Sequence, residues 1–238
     1  MVRLPRISIA FSFVLLATAA ASVGFAEKKT RLFILSGQSN MVGLNPNVSF
    51  TPAVTKAFSG DKIIVVKDAA GGQPIRRWFK QWKPADAGKS QGKNAGKEKY
   101  GDLYDRLMSK VAAASKGKKF DSISFVWMQG ERDAKEGHGA VYAASMKGLI
   151  EQLRGDLKRP DMTVVIGRLS DHLKDNKGWE AVRAAQVQVA EGDKAADWID
   201  TDELNGPRDG LHYPKEGYAE MGKRFAAKTI ALVNKPDK

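Results

Sequence analysis

The sequence predicts a three-layer α/β sandwich, with helices on both faces of a five-stranded parallel sheet. Apolar runs alternate along the chain with segments of helical periodicity, an alternation typical of doubly wound domains. Most of these runs are continuous rather than alternating in polarity, as expected for strands that are buried on both faces. The predicted strands are 31–35, 62–66, 122–128, 162–169 and 197–200, and the predicted helices are 102–114, 139–157, 179–191 and 216–233.

Each predicted strand is short and apolar, and four of the five are followed by a helical segment. In chain order the strands read RLFIL, KIIVV, SISFVWM, MTVVIGRL and DWID. Residues 82–100 are rich in Lys, Gly and Ala without periodicity, and we expect them to form a mobile surface loop. The chain shows no internal repeat and no sign of a second domain.

The first 26 residues have the composition of a secretory signal peptide. Two arginines supply the positive start, an apolar stretch follows over 7–16, and GFA at 24–26 is a small-x-small cleavage site. An uncleaved membrane anchor is the alternative, because 7–26 is uncharged and about long enough to span a bilayer. The cleavage site and the Ala-rich second half favour removal. We therefore expect a single domain over 27–238, secreted or periplasmic, without stable membrane insertion.

The chain is strongly basic, with a net charge of +12 from 39 basic and 27 acidic residues. The leader contributes two of the arginines and no acid. The excess either keeps the protein soluble or steers it toward an anionic polymer, such as a uronate-bearing or sulfated glycan. No nucleic-acid-binding motif accompanies the charge, which disfavours a nucleic-acid partner. The chain has no cysteine, which excludes disulfides, thiolate metal ligands and a cysteine nucleophile, and export without disulfides points to a bacterial cell envelope.

A serine near one end of the chain, and an aspartate and a histidine near the other, follow predicted strands. Ser39 comes after the first strand, and Asp209 and His212 come after the fifth, three residues apart. Ligands of such sheets bind beyond the carboxyl ends of the strands, so we expect these three side chains to meet. A serine nucleophile needs a base to take its proton, and an imidazole base needs a carboxylate to orient it. The three residues are therefore a candidate hydrolytic triad.

The chain has only three histidines, which limits the choice of a base. His138 lies in a polar loop string. His172 follows an aspartate just past the fourth predicted strand and is the alternative candidate. His212 is favoured because Asp209 precedes it by three residues, in a glycine-containing turn that presents both side chains from one loop.

Two further strand exits carry groups that can donate to an oxyanion. Gly71 and Gly72 follow the second strand, and Gln129 follows the third. An unobstructed backbone N–H and a side-chain amide are suitable donors. Simpler interpretations remain: a plain glycine turn, a surface amide at Gln129, and a helix N-cap at Ser39. The serine string is not the Gly-x-Ser-x-Gly elbow of the α/β-hydrolases, since Met41 takes the place of the second glycine.

Four strings together resemble the SGNH/GDSL hydrolase superfamily. They are LSGQSNM at 35–41, GG at 71–72, WMQGERDA at 127–134 and DGLH at 209–212. More narrowly, they resemble its sialate O-acetylesterase-like branch, which includes carbohydrate esterase family 6. RAAQ at 183–186 is similar to a further string of that branch. The resemblance covers almost all of the chain after the leader, in the family's order.

This resemblance implies a flavodoxin-like sheet and removal of acetyl groups from sugar hydroxyls without a metal or other cofactor. By this resemblance, Ser39 is the nucleophile, His212 is the base and Asp209 is the partner of the base. The implied oxyanion donors are the Ser39 amide, Gly72 and Gln129, the last at the place of the superfamily's asparagine. The resemblance does not distinguish Gly71 from Gly72 as the match to the family's oxyanion glycine. Further supporting or substrate-binding residues are Gln38, Asn40 and Glu131.

The expected partner is an acetylated carbohydrate, and the sequence leaves the oligomeric state open. A lipid or thioester substrate is one alternative. The chain has no long apolar lid segment, and the loop after Gly72 carries side chains suited to sugar stacking and polar contacts. These are Arg76, Arg77, Trp78 and Trp82.

Two alternatives lie outside esterase chemistry. A carbohydrate-binding protein without catalysis is disfavoured by the intact set of Ser, His, Asp and Gln. A metal site is the other, but acidic residues at strand exits are commonly solvated, and the serine has no place in such a site. Its candidate ligands would be Asp200, Asp202, Asp209 and His212.

Overall fold

Five parallel strands form the central sheet of the computed structural model, which describes residues 27–84 and 100–235. The strands are β1 Thr30–Gly37, β2 Lys62–Ala69, β3 Ser122–Met128, β4 Thr163–Gly167 and β5 Ala196–Ile199. Their order across the sheet is β2-β1-β3-β4-β5, the flavodoxin-like arrangement. The predicted α/β class and sheet are therefore confirmed. The predicted leader, and the predicted loop apart from its ends, lie outside the described residues.

Helices cover both faces of the sheet. Within the described ranges they are α1 Ser39–Gly43, α2 Phe50–Ala57, α3 Asp102–Ser115, α4 Glu131–Glu136, α5 Gly139–Leu157, α6 Lys177–Glu191 and α7 Lys215–Val233. The chain steps outward from β1 to β2 and then back across through β3, β4 and β5. The crossovers run in opposite directions along the sheet, so α2 lies on one face, where α7 joins it, and α3, α5 and α6 lie on the other. None of these helices is long and apolar enough to cross a bilayer.

The middle of the sheet is the hydrophobic core. Leu32, Phe33, Ile34 and Leu35 of β1 are at most 1% exposed, because both faces of this strand are covered. Burial on both faces explains why the strand reads as a continuous apolar run rather than an alternating one.

Strand β2 extends three residues beyond its predicted end, through two charged positions. Asp68 is buried, and Arg106 and Lys110 both bind its carboxylate. Lys67 reaches two main-chain carbonyls at the C-terminal end of α1. Paired in this way, the two charges continue the strand to Ala69, whereas the sequence pattern ends with the apolar run at 66.

Strand β2 lies on one side of β1, and β3 lies on the other. The connections that follow β1 and β3 therefore run to opposite faces of the sheet, which opens a crevice at the carboxyl ends of these two strands. At this point the two strands are in close contact. A Cβ atom on Gly37 would overlap the carbonyl group of Met128, so only glycine fits there. The next residue, Gln38, donates its backbone N–H to the same carbonyl oxygen at 2.9 Å. This pairing fixes the two segments that lead to Ser39 and Gln129.

Candidate active site

Ser39 is the first residue of α1 and lies at the mouth of this crevice. The N-cap position belongs to Gln38, so Ser39 does not cap the helix, and that interpretation is wrong. The Ser39 hydroxyl makes no hydrogen bond with any described residue, and its backbone N–H donates to none of them. A helix leaves its first N–H groups without an internal acceptor, which accounts for the second observation.

Asp209 and His212 form a hydrogen-bonded pair within one loop. Nδ1 of His212 lies 2.7 Å from Oδ2 of Asp209. The other carboxylate oxygen accepts the backbone N–H groups of Leu211 at 3.0 Å and His212 at 2.8 Å. These bonds, the one from the imidazole first, hold the pKa of Asp209 below its usual range. Since Nδ1 faces the carboxylate, Nε2 is the ring nitrogen left to exchange a proton with another group.

Asn40 connects α1, the serine helix, to the loop of residues 206–213, the histidine loop. Its side-chain nitrogen donates to the carbonyl oxygen of Leu211 at 3.3 Å and to Oε1 of Glu131 at 3.0 Å. Its side-chain oxygen accepts the hydroxyl of Tyr218 at 3.3 Å. Asn40 follows Ser39 and Leu211 precedes His212, so this one side chain joins the neighbours of both candidate catalytic residues.

Glu131 is a buried acid of this site. The residue is 6% exposed, and its Oε2 atom has no hydrogen-bond partner among the described residues. Burial raises the pKa of its carboxyl to about 7, opposed first by the backbone N–H of Glu131 itself and then by the Asn40 bond and the charge of His212. The carboxyl group therefore gains or loses its proton near neutral pH.

The turn at Gly71 and Gly72 faces the serine. A Cβ atom on Gly71 would stand 3.8 Å from Cβ of Ser39. Gly72 has φ +65°, which glycine adopts without strain. Neither glycine N–H donates to an acceptor in the described part of the chain. Both N–H groups are thus available to a ligand, and the choice between the two glycines remains open.

Gln129 lies in the interior rather than at the surface, and the surface-amide interpretation is wrong. It is 0% exposed. Its Nε2 lies 3.2 Å from Oε1 of Gln38, 3.0 Å from the carbonyl oxygen of Gln73 and 2.6 Å from Oδ2 of Asp133. Tyr142 donates to its Oε1 at 3.0 Å. The amide has two hydrogens, and three acceptors already lie within hydrogen-bond distance of it. Donation to an oxyanion therefore requires the amide to release one of these acceptors, and the oxyanion role of Gln129 stays a prediction.

Two side chains outside the predicted site hold Gln129 and its surroundings. Oδ2 of Asp133 also accepts the backbone N–H of Ile75 at 2.8 Å, which joins the loop after Gly72 to α4. The Gln186 amide bridges the backbone N–H of Leu169 and the carbonyl oxygen of Gln129, both at 2.8 Å. Gln186 belongs to the RAAQ string, so the sequence signal was present, but its role of joining the ends of β3 and β4 was not predictable from it.

The expected sugar-stacking side chains of the loop after Gly72 pack inward instead. Trp78 is fully buried, edge-on against Trp127 with ring centroids 5.2 Å apart, and Trp82 is 6% exposed. The arginines form ion pairs at 2.5 Å, Arg76 with Glu136 and Arg77 with Asp102. The expectation of sugar stacking is therefore wrong for both tryptophans.

Among the described residues, the other two histidines lack a hydrogen-bonded carboxylate. The His172 ring meets Trp179 edge-on at 5.6 Å, and its Nδ1 lies against Gly210 of the histidine loop. Nδ1 of His138 lies 3.4 Å from Glu136 without forming a hydrogen bond. Only the position of His212 combines a carboxylate partner with a link to the serine helix.

The acidic residues of the proposed metal alternative are used elsewhere. Asp200 and Asp202 each contact Arg168 at 2.7 Å, and Asp202 also pairs with Arg183. Within the described ranges, no group of three or more His, Cys, Asp or Glu side chains could hold a metal ion.

The comparisons with known proteins point to one family. The family model "Carbohydrate esterase, sialic acid-specific acetylesterase" matches residues 42–231, a range that includes Gln129, Asp209 and His212 and begins three residues after Ser39. A curated Arabidopsis thaliana protein named "Probable carbohydrate esterase" is 24% identical over 212 residues, which are 87% of this chain and 71% of that protein.

Solved structures share the fold. A crystal structure of an Arabidopsis thaliana protein superposes with a TM-score of 0.67 at 20% identity, covering 85% of this chain and 98% of that one. NanS gives a TM-score of 0.59 at 14% identity, covering 87% and 97%. A carbohydrate acetylesterase from Xanthomonas citri gives 0.57 at 14% identity, covering 84% of this chain and 56% of that one.

Proposed function

Because the chain belongs to the sialic acid-specific acetylesterase family of carbohydrate esterases, we propose that it hydrolyses acetyl esters of a carbohydrate by a serine mechanism. Ser39 is the nucleophile, His212 the base and Asp209 the partner that orients the base. The observation that carries this proposal is the 2.7 Å bond between His212 and Asp209, in a loop that Asn40 ties to the serine helix.

The reaction has two halves. Nε2 of His212 takes the proton of the Ser39 hydroxyl while Oγ attacks the acetyl carbonyl carbon. The tetrahedral intermediate collapses as the imidazolium gives its proton to the sugar oxygen, which leaves as an alcohol. Water, deprotonated by His212, then attacks the acetyl-serine, and acetate departs with Ser39 restored. Asp209 keeps the proton on Nδ1 and stabilises the imidazolium in both halves.

The negative charge of the tetrahedral intermediate needs donors that are already in place. The backbone N–H groups of Ser39 and Gly72 are the proposed donors, since neither is used by a described residue. Gln129 is the third, on condition that its amide exchanges an acceptor. A single donor of this kind is worth about 3 kcal/mol of transition-state stabilisation.

An acetylated carbohydrate that also carries negative charge suits the chain best. The family description names sialic acid, a charged sugar, and the net charge of +12 becomes +10 when the two arginines of the leader are removed. A positive surface raises the association rate of an anionic substrate, and added salt reduces that gain. We therefore propose that acetylated sialic acid or acetylated pectin is cleaved faster than neutral acetylated xylan at low salt, with the difference shrinking as salt is added.

We also propose that the protein works outside the cytoplasm, after removal of the leader. The support is the signal-like composition of residues 1–26. Mass spectrometry of the protein recovered from periplasm and culture medium tests this, since cleavage leaves a chain that begins at Glu27. A full-length chain in the membrane fraction would contradict it and favour the anchor.

Ser39→Ala tests the serine mechanism most directly. Acetate release from a chromogenic acetate ester and from the three glycans is measured for the wild type, for Ser39→Ala and for Ser109→Ala, an exposed serine on α3. Ser39→Ala should lose activity by far more than tenfold while staying folded, and Ser109→Ala should match the wild type. A Ser39→Ala variant that keeps a tenth of the turnover would rule out the mechanism, and loss of activity with a chelator would point to a metal.

A further inference from the structure

The Asn40 side chain has two amide hydrogens, and each has a separate acceptor. One goes to Oε1 of Glu131 at 3.0 Å, and the other goes to the Leu211 carbonyl oxygen at 3.3 Å. Asn40 is 1% exposed, so water cannot replace either acceptor without a rearrangement. The orientation of the Asn40 amide, and with it the bond to Leu211, therefore depends on the acceptor at Glu131.

Glu131 is placed to serve as this acceptor, and within the described residues Asn40 is the side chain hydrogen-bonded to its carboxyl group. It is the first residue of α4, directly after the segment that follows β3, and it is 6% exposed. Its Oε2 atom is buried without a hydrogen-bond partner among the described residues. A buried carboxyl group with one unused oxygen is costly, and in a stable fold that cost must be offset by other interactions.

We propose that Glu131 is a positioning residue of the esterase, which fixes the Asn40 amide and thereby holds the histidine loop against the serine helix. The proposal rests on the proposed serine mechanism. In this arrangement Glu131 contacts neither the substrate nor the reacting atoms. It acts through Asn40 and Leu211 on the position of His212 relative to Ser39.

The acceptor oxygen is the part of Glu131 that this role requires. Without it, the Asn40 amide has a buried hydrogen with no partner and can turn away from Leu211 to find one. The histidine loop then loses its bond to the serine helix, while the bond between His212 and Asp209 remains. Small errors of this kind in the placement of a base lower the rate of the chemical step much more than substrate binding.

Four variants distinguish the effect of the Glu131 acceptor oxygen on catalysis from the effects of the Glu131 charge and of lost folding stability. Glu131→Gln keeps an acceptor oxygen and cannot ionise, whereas Glu131→Ala removes the acceptor. Asn40→Ala removes the link, and the double alanine variant completes a double-mutant cycle. Ser124→Ala is the control for loss of a buried polar contact, because Ser124 bonds Thr163 at 2.8 Å at the far end of the sheet.

Three measurements are made on each variant: kcat and KM for a chromogenic acetate ester, the rate of covalent labelling of Ser39 by a fluorophosphonate, and hydrogen exchange of residues 206–213. Glu131→Ala should lower kcat and the labelling rate by about tenfold to a hundredfold, with KM nearly unchanged. Its loop should exchange faster than the wild-type loop. Glu131→Gln should stay close to wild type in all three, and the double variant should be no worse than Asn40→Ala.

Two outcomes would overturn the positioning role. One is a Glu131→Ala protein with reduced stability but normal kcat and normal loop exchange, like Ser124→Ala. The other is a Glu131→Gln protein as impaired as Glu131→Ala, which would assign the effect to the charge. If the wild type cleaves no ester and is not labelled, the serine mechanism fails, and hydrogen exchange of the loop still decides whether Glu131 and Asn40 hold it.

Discussion

Nδ1 of His212 and Oδ2 of Asp209 lie 2.7 Å apart, although both side chains are about two-fifths exposed to solvent. A pair this exposed contributes little to folding stability, because water screens the attraction and competes for the bond. Three hydrogen bonds from the loop itself keep the carboxylate in place. The arrangement therefore orients an imidazole rather than stabilising the fold.

Asp209→Ala should lower kcat by about tenfold to a hundredfold, less than the loss expected for Ser39→Ala. A hydrogen bond to a charged group is stronger than one between neutral groups, but water can replace part of it at this exposed position. Steady-state kinetics on the chromogenic ester check the size of the effect. The melting temperature should hardly change. A large drop in melting temperature with normal kcat would show that Asp209 stabilises the loop instead.

His212→Ala should be as damaging as Ser39→Ala, and His172→Ala should be mild. In the wild type, kcat/KM should rise from acid toward neutral pH, because the base must be neutral to accept a proton. Asp209 does not limit this rise, since its lowered pKa keeps it ionised throughout. An inactive His172→Ala protein beside an active His212→Ala protein would reverse the assignment.

Gln129→Ala should lower both stability and turnover. Stability falls because the carboxylate of Asp133 and the Tyr142 hydroxyl lose a buried partner. If the amide also turns to the oxyanion, kcat per folded molecule falls by roughly 10²-fold with little change in KM. Gln129→Glu should be at least as slow, because a carboxylate repels the oxyanion. Denaturation and active-site titration separate the effects, and normal kcat per folded molecule would assign Gln129 to the scaffold.

Glu131→Gln should become more stable than the wild type as the pH rises. Burial raises the pKa of Glu131 from 4.5 to about 7, so the unfolded chain loses this proton at a lower pH than the folded protein does. Between these values the wild type loses stability with rising pH, and the glutamine variant does not. The difference in unfolding free energy should change by about 3 kcal/mol over this range. Urea denaturation at pH 5, 6, 7 and 8 measures it.

Glu136→Gln is the matched control for this titration. Its difference in unfolding free energy from the wild type should stay level between pH 5 and 8 and should change, with the opposite sign, only below the ordinary Glu pKa of 4.5. Burial acts to raise the pKa of Glu136, but the bonds from Arg76 and Arg132 outweigh it and lower that pKa. Its charged form therefore adds stability at neutral pH that is lost in acid. Parallel curves for the wild type and Glu131→Gln would mean that Glu131 does not hold its proton on folding.

Helices and strands with several turns or a continuous apolar run were predictable from the sequence. Helix α5 has the predicted bounds, Gly139–Leu157, because nineteen residues give the periodicity enough repeats. Helices α1, α2 and α4 were not predicted, since five to eight residues cover only about two turns or fewer. Their positions depend on contacts made by the folded sheet.

The Asp209–His212 pair was predictable because two residues three positions apart in one loop can meet without the rest of the fold. The bond from Asn40 to Leu211 was not, because it joins positions 171 residues apart. The burial of Trp78 and Trp82 was also missed. A tryptophan beside arginines in a loop is typical of the surface, whereas packing against Trp127 buries Trp78.

The histidine loop closes on itself through backbone bonds. The N–H of Gly206 donates to the carbonyl oxygen of His212 at 2.9 Å, and the N–H of Gly210 donates to the carbonyl oxygen of Gly206 at 3.1 Å. Asp209 and His212 therefore move as one unit. A displacement of the loop changes the distance between His212 and Ser39, while the bond to Asp209 keeps the proton on Nδ1 of His212. The segment therefore carries its own acid–base geometry, and the bond from Asn40 ties that geometry to the serine helix.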